Sequence, residues 1–185
     1  MTTPPRILVT GPPGVGKTTF VRRVLELIPD VRATGFYTGE IRGRAGRTGF
    51  RLSTLDGRSA QLATAGGRGG PRVGRYGVHL ESLDALGAEA LEPGPGIDLV
   101  VIDEIGKMEC LSPTFVRAAR RALTGPVPVL GSVALVGGGF IPEAKRLPGV
   151  EVIPLSRDNR DSLPTTIAER LRAGAARASR DPSSR

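Results

Sequence analysis

Apolar residues recur along this chain in two rhythms, and the changes between them mark its elements. Residues 7–10 form a short apolar run bounded by Pro and Gly, the pattern of a buried strand. Over residues 17–28 the spacing turns helical: Phe20, Val21, Val24, Leu25 and Ile28 share one face, and Pro29 stops it. Residues 97–102 are the strongest continuous apolar run and predict a central strand covered on both faces. Residues 127–135 and 150–155 read as further strands. Helices are predicted over 80–91, where Leu80, Leu83, Leu86 and Leu91 roughly align, from Ser112 or Pro113 to about Leu123, over 142–147 and over 163–174.

Residues 34–64 read differently. Segments 34–41, 49–55 and 59–64 are short, rich in β-formers and separated by Gly, Arg and the turn dipeptide Asp56-Gly57. They predict antiparallel strands with a hairpin at 56–57. Residues 66–74 read as a Gly/Arg-rich loop able to close over a ligand. Elsewhere strand and helix alternate, so the fold class is α/β: a mostly parallel sheet with helices on both faces and a small antiparallel β insertion. Residues 1–174 make one domain, and residues 175–185, without hydrophobic anchors, are expected to be a disordered tail.

Composition narrows the picture. Aromatics are only 4% of the chain, so the core must come from Val, Ile, Leu and Ala. Cys110 is the only cysteine, which excludes an intramolecular disulfide and a multi-cysteine zinc site. With no room for a leader before the first strand, one thiol suggests a reducing cytoplasm. No apolar run approaches the ~20 residues that cross a bilayer, so no membrane is expected. The net charge is +8, yet Lys17, Lys107 and Lys145 are the only lysines, and the 23 arginines read as scattered. That argues against a phosphate-tracking stripe and against nucleic acid as partner. The oligomeric state is left open, a monomer included.

The most specific signal is GPPGVGKT. Gly11, Pro12, Pro13, Gly14, Val15, Gly16, Lys17 and Thr18 fit G-x-x-x-x-G-K-[ST], with a predicted strand before and an amphipathic helix after. Gly14 and Gly16 let backbone N–H groups approach phosphate oxygens, and the helix start turns its positive dipole end toward the same anion. Lys17 is placed to reach the β and γ phosphates and Thr18 to coordinate Mg²⁺. A chance glycine turn would not come with this context. Residues 99–104 supply a second signal, an apolar strand ending in two acids. Ligands in open α/β sheets bind at the carboxyl ends of strands, so Asp103 is a candidate for the metal. Glu104 beside it is a candidate general base for water, a hydrolase feature. The plainer alternative is a strand end with two solvated acids.

These motifs, with GFYTGEIR at 35–42, RTGFR at 47–51, VGRYGV at 73–78, DEIGKME at 103–109, RLPG at 146–149 and NRD at 159–161, resemble the THEP1-type nucleoside-triphosphatases over residues 6–172. Animal members are called cancer-related nucleoside-triphosphatases. The resemblance implies a RecA-like P-loop NTPase three-layer sandwich with a β-rich insertion. It implies Mg²⁺-dependent hydrolysis of ATP, GTP, CTP and UTP to the diphosphate, with broad base tolerance. The implied nucleotide-binding residues are Gly11 to Thr18 with Thr19, and Val101, Ile102, Asp103, Glu104, Ile105, Gly106 and Lys107. Thr18 and Asp103 would hold the metal, and Glu104, Lys17 and Lys107 would be catalytic. The chain departs from the family at 131–140 (GSVALVGGGF), where a polar sensor-like role falls to Ser132.

Charge developing on the γ-phosphate needs a cation besides Lys17, and Lys107, Arg47, Arg75 and Arg160 are candidates. Arg160 is the preferred arginine, with an ion pair to Asp158 or Asp161 as the alternative. Tyr37 and Tyr76 read as packing residues ahead of base-stacking ones, His79 as a packed or surface histidine, and Cys110 as a small hydrophobe. Two rival functions share the loop: a small-molecule or nucleotide kinase, with 66–75 as its lid, and a nucleic-acid-linked nucleotide switch.

Overall fold

The computed structural model describes residues 3–178, apart from 45 and 69. One nine-stranded sheet runs through the molecule in the order β5-β6-β4-β3-β2-β7-β8-β1-β9. Its parallel half comprises β1 (Arg6–Gly11), β2 (Ala33–Gly43), β7 (Leu99–Ile105), β8 (Val129–Ala134) and β9 (Val150–Pro154). Its antiparallel half adds β3 (Gly46–Thr54), β4 (Ser59–Ala65), β5 (Arg72–Val73) and β6 (Tyr76–Val78).

Alternation along the strands divides the core in two. Ile7 and Val9 of β1, with Leu99 and Val101 of β7, face α1 (Lys17–Leu27) and α5 (Leu163–Ala178), where Val21, Val24, Ile167 and Leu171 meet them. Leu8, Val100 and Ile102 point the other way, toward Phe115 and Ala119 of α3 (Pro113–Thr124) and Phe140 of α4 (Phe140–Ala144). The central strands are buried on both faces, so they read as unbroken apolar runs.

The insertion is an extension of this sheet. Residues 33–36 of β2 pair in parallel with residues 99–102 of β7, and the rest of the strand continues outward as the first arm of the β2–β3 hairpin. The turn expected at 56–57 joins β3 to β4, with Gly57 at φ +93.

Four expectations are corrected. The loop at 66–74 contains the strand β5, which pairs with β6. The helix at 80–91 is three short pieces: α2 (Leu80–Ser82), a π-helical turn at Leu83–Gly87 and a 3₁₀ turn at Glu89–Leu91. Gly87 ends the π-helical turn, close against Leu52, Leu83 and Phe115, and weakens an already short helix. The last helix runs past Gly174 to Ala178, because Ala175 is buried and anchors another turn; of the expected tail, residues 179–185 lie outside the described residues. Charge is also less evenly spread than the pattern suggested, since residues 33–78 hold eight arginines against Glu40 and Asp56. Many of these are engaged: Arg47 pairs with Glu40 at 2.5 Å, Arg58 with Asp56 and Glu89, and Arg72 and Arg75 donate to backbone carbonyls.

The closest backbone approach is at Gly35 (φ +129), where a Cβ would overlap the Val101 carbonyl. Gly35→Ala is expected to cost about 2–4 kcal/mol in urea unfolding. Gly39→Ala on the same strand, with nothing within 4 Å of an added Cβ, is expected to change stability by less than about 0.5 kcal/mol.

Candidate functional site

The loop between β1 and α1 turns on two left-handed glycines, Gly14 at φ +78 and Gly16 at φ +106. Val15 between them is buried and anchors it, and its N–H donates to Pro12 O at 3.3 Å. Helix α1 begins at Gly16 without a side-chain cap and without an acid in its first turn. Its first N–H groups and positive dipole end are therefore left for an anion. By contrast, α3 is capped by Ser112, which accepts from the Phe115 N–H at 2.9 Å.

Lys17 folds back over the loop. Its Nζ donates to Gly11 O at 3.3 Å and lies 3.8 Å from Glu104 Oε1. Glu104 is part-exposed at the end of β7, and Lys107 is exposed just beyond it. Asp103 is different, at 1% exposure. It accepts from the Thr38 N–H and from the Ser132 hydroxyl, each at 3.4 Å, and from Thr18. Burial pushes its carboxyl up to about 6, against those hydrogen bonds and with Glu104 adding to the rise. Strand β8 lies between β1 and β7, which is why Ser132 reaches the acid.

Among the described residues no group of three or more His, Cys, Asp or Glu is placed to hold a metal ion. A desolvated carboxylate touching a threonine hydroxyl is nevertheless a hard-oxygen pair suited to Mg²⁺, which takes one or two protein ligands and fills the rest with phosphate oxygens and water.

Glu109, the last acid of the DEIGKME segment, is a functional candidate that the motif alone does not single out. It sits in the 3₁₀ turn after β7, 6% exposed, and burial pushes its carboxyl up to about 8, with Glu104 and Asp103 adding to the rise. Its Oε2 lies 2.7 Å from where a Gly106 Cβ would stand, so Gly106 is the residue that admits it. The signal available in the sequence was an acid six residues after Asp103 in a segment too short to carry it away.

The other candidates separate clearly. Arg160 approaches the loop, donating to Val15 O at 3.5 Å, and is 3.9 Å from Asp161. Asn159 of the same motif builds the turn, accepting from the Ser156 N–H and donating to Pro154 O. Arg47 and Arg75 lie over Phe50 and Tyr76 in the insertion. Tyr37 is stacked under Arg22 at 4.6 Å, and Tyr76 meets Phe50 edge-on. His79 Nε2 is 2.8 Å from Thr64 Oγ1. Burial pushes the Cys110 thiol up to about 12. Cavities flank the loop on several sides. One of about 410 Å³ lies on the acid side, one of about 270 Å³ lies between Gly16, Thr19, Phe20, Arg23 and Arg160, and one of about 260 Å³ lies between Pro12, Gly14, Val15 and Leu155.

A glycine loop after one parallel strand and an acid after another, with a single strand between them, place this chain in the class of P-loop NTPase folds. A family model described as NTPase matches residues 6–168. Nucleoside-triphosphatase THEP1 of Methanosarcina acetivorans is 41% identical over 171 residues, covering 90% of this chain and 96% of its own. The crystal structure of THEP1 from Aquifex aeolicus superposes with a TM-score of 0.81 at 34% identity, over 90% of this chain and 98% of that one. The solution structure of a human cancer-related nucleoside triphosphatase gives 0.76 at 35%, over 91% and 98%. The chain belongs to the THEP1-type nucleoside-triphosphatase family.

The two raised carboxyls make stability depend on pH. Between about 4.5 and 8 the folded protein keeps a proton on Glu109 that the unfolded chain has released, so stability falls as pH rises through that window. Asp103 adds the same trend between about 3.8 and 6. Above pH 6 the remaining decline belongs to Glu109. Glu109→Gln is expected to flatten the melting temperature between pH 6 and 8, and an unchanged slope would reject the assignment.

Proposed function

We propose that this chain hydrolyses nucleoside 5′-triphosphates to the diphosphate and phosphate in a Mg²⁺-dependent reaction, accepting ATP, GTP, CTP and UTP. The carrying observation is the meeting of Lys17 and Glu104 at the loop mouth, 3.8 Å apart, beside the buried Asp103. The relatives' names as nucleoside-triphosphatases support the same reading.

The loop N–H groups from Gly14 to Thr19 bind the phosphates, and Lys17 clamps the β and γ groups. Thr18 and Asp103 would hold Mg²⁺, which would supply positive charge to the triphosphate. Val101, Ile102, Ile105 and Gly106 are buried supports, and Lys107 forms the rim. Glu104 takes a proton from water as its oxygen bonds to the γ-phosphorus. The bond to the bridging oxygen breaks, and the diphosphate leaves beside Lys17. Lys107 and Arg160 are the further cations for the developing charge. Base tolerance fits the cavity at Thr19, where Arg23 can offer a guanidinium face to any base.

Among the described residues no helix is long and apolar enough to cross a membrane. The half-buried Cys110 fits a reducing cytoplasm. The proposed reaction needs only one chain and no nucleic acid.

Glu104→Gln is expected to lower turnover by about 10²–10⁴-fold while nucleotide affinity stays within a few-fold. Lys17→Ala is expected to weaken both. Phosphate release from ATP, GTP, CTP and UTP, with and without Mg²⁺, measures the reaction. Turnover of Glu104→Gln at the wild-type rate would remove the base assignment.

A further inference from the structure

Hydrolysis needs room for one water, whose share of liquid volume is about 30 Å³. The cavity on the acid side is about 410 Å³. Lys17, Gly11 and Glu104 occupy the part beside the loop, where the γ-phosphate enters. The remainder is walled by Phe50, Leu62 and Val73 of the insertion and by Met108. Leu62 is 1% exposed and makes an apolar floor. At the other side Leu135 and Val136 stand 49% and 70% exposed, two of the three exposed large hydrophobics among the described residues. Polar groups interrupt this wall at Thr38, Lys107 and Glu109. Glu109, 6% exposed, lines the cavity, its carboxyl hydrogen-bonded by backbone amides at Gly106 and Glu109. A site that served water alone would not need an apolar chamber with an exposed apolar lip.

We infer that this cavity is an acceptor site for a small neutral alcohol with an apolar body, its hydroxyl held between Glu104 and Glu109 and facing the γ-phosphate. The inference rests on the proposed hydrolase reading and extends the same site. A hydroxyl can replace water without a change of chemistry: its oxygen bonds to the γ-phosphorus, its proton passes to Glu104, the bond to the bridging oxygen breaks and the diphosphate leaves. An ammonium has no lone pair with which to attack, and a carboxylate would face two carboxyl groups. The apolar body gains by leaving water for Phe50, Leu62, Val73 and Met108.

The test is a partition experiment on the full chain with Mg·ATP and rising benzyl alcohol, with products separated by ³¹P NMR. The expected result is benzyl phosphate formed alongside inorganic phosphate and saturating with alcohol. Ethanol, which has the hydroxyl without the body, yields at least about tenfold less ester at equal concentration. Inorganic phosphate alone at every alcohol concentration overturns the acceptor site and leaves hydrolysis standing. Neither product overturns both. Val73→Trp, which fills the chamber from an edge strand, is expected to keep phosphate release within about twofold and to lower ester formation at least about tenfold. Leu135→Glu on the exposed lip gives the same separation without touching the core. Equal loss of both products, or of neither, in the two variants would remove the cavity from the inference.

Discussion

A single buried carboxylate ties the site to the fold. Asp103 ends β7, accepts from the backbone of β2 at Thr38, from Ser132 on β8 and from Thr18 on α1. Four elements thus converge on one side chain that is 1% exposed. Removing a carboxylate from water is costly, and hydrogen bonds of 3.4 Å offset only part of that cost. The arrangement is stable because the surrounding sheet is stable, and it leaves the carboxylate short of partners where a cation would complete it.

The electrostatics around that acid are graded by exposure. Glu109, 6% exposed, is pushed further than Asp103, up to about 8. Glu104 is part-exposed and faces Lys17, and Lys107 stands in solvent. Two buried carboxyls of one short segment, Asp103 and Glu109, therefore carry different charge at the same pH. The difference comes from strand alternation followed by a single 3₁₀ turn, which sends neighbouring acids into separate surroundings.

Much of this was legible in the sequence. The doubly covered strands, the phosphate loop and its helix, and the three strands of the insertion follow from local patterns that the fold leaves intact. Asp103 and Glu104 follow from the rule that ligands gather at the carboxyl ends of parallel strands. Ser132, the polar residue where the chain departs from the family pattern, lies within 3.4 Å of Asp103. The misses have a common physical origin. Glu109 matters because Gly106 lets it fold back under the loop, and the broken helix at 80–91 reflects packing around Gly87. Strand β5 is two residues long and exists only because β6 lies beside it. Each depends on contacts that one-dimensional periodicity does not carry.

Strand β2 has a mechanical consequence. Its first residues are fastened to β7 by parallel pairing, the rest form the hairpin arm, and the Thr38 amide that meets Asp103 lies near the root of that arm. An extended strand scarcely stretches, so β2 acts as a strut running from the centre of the sheet to the tip at Gly43–Gly46. Lengthening or trimming that tip leaves the root undisturbed. A slip of one residue at the root would turn every outward side chain inward along the whole arm and carry the Thr38 amide away from the acid. The hairpin is free to vary in reach while its register remains locked to the chemistry.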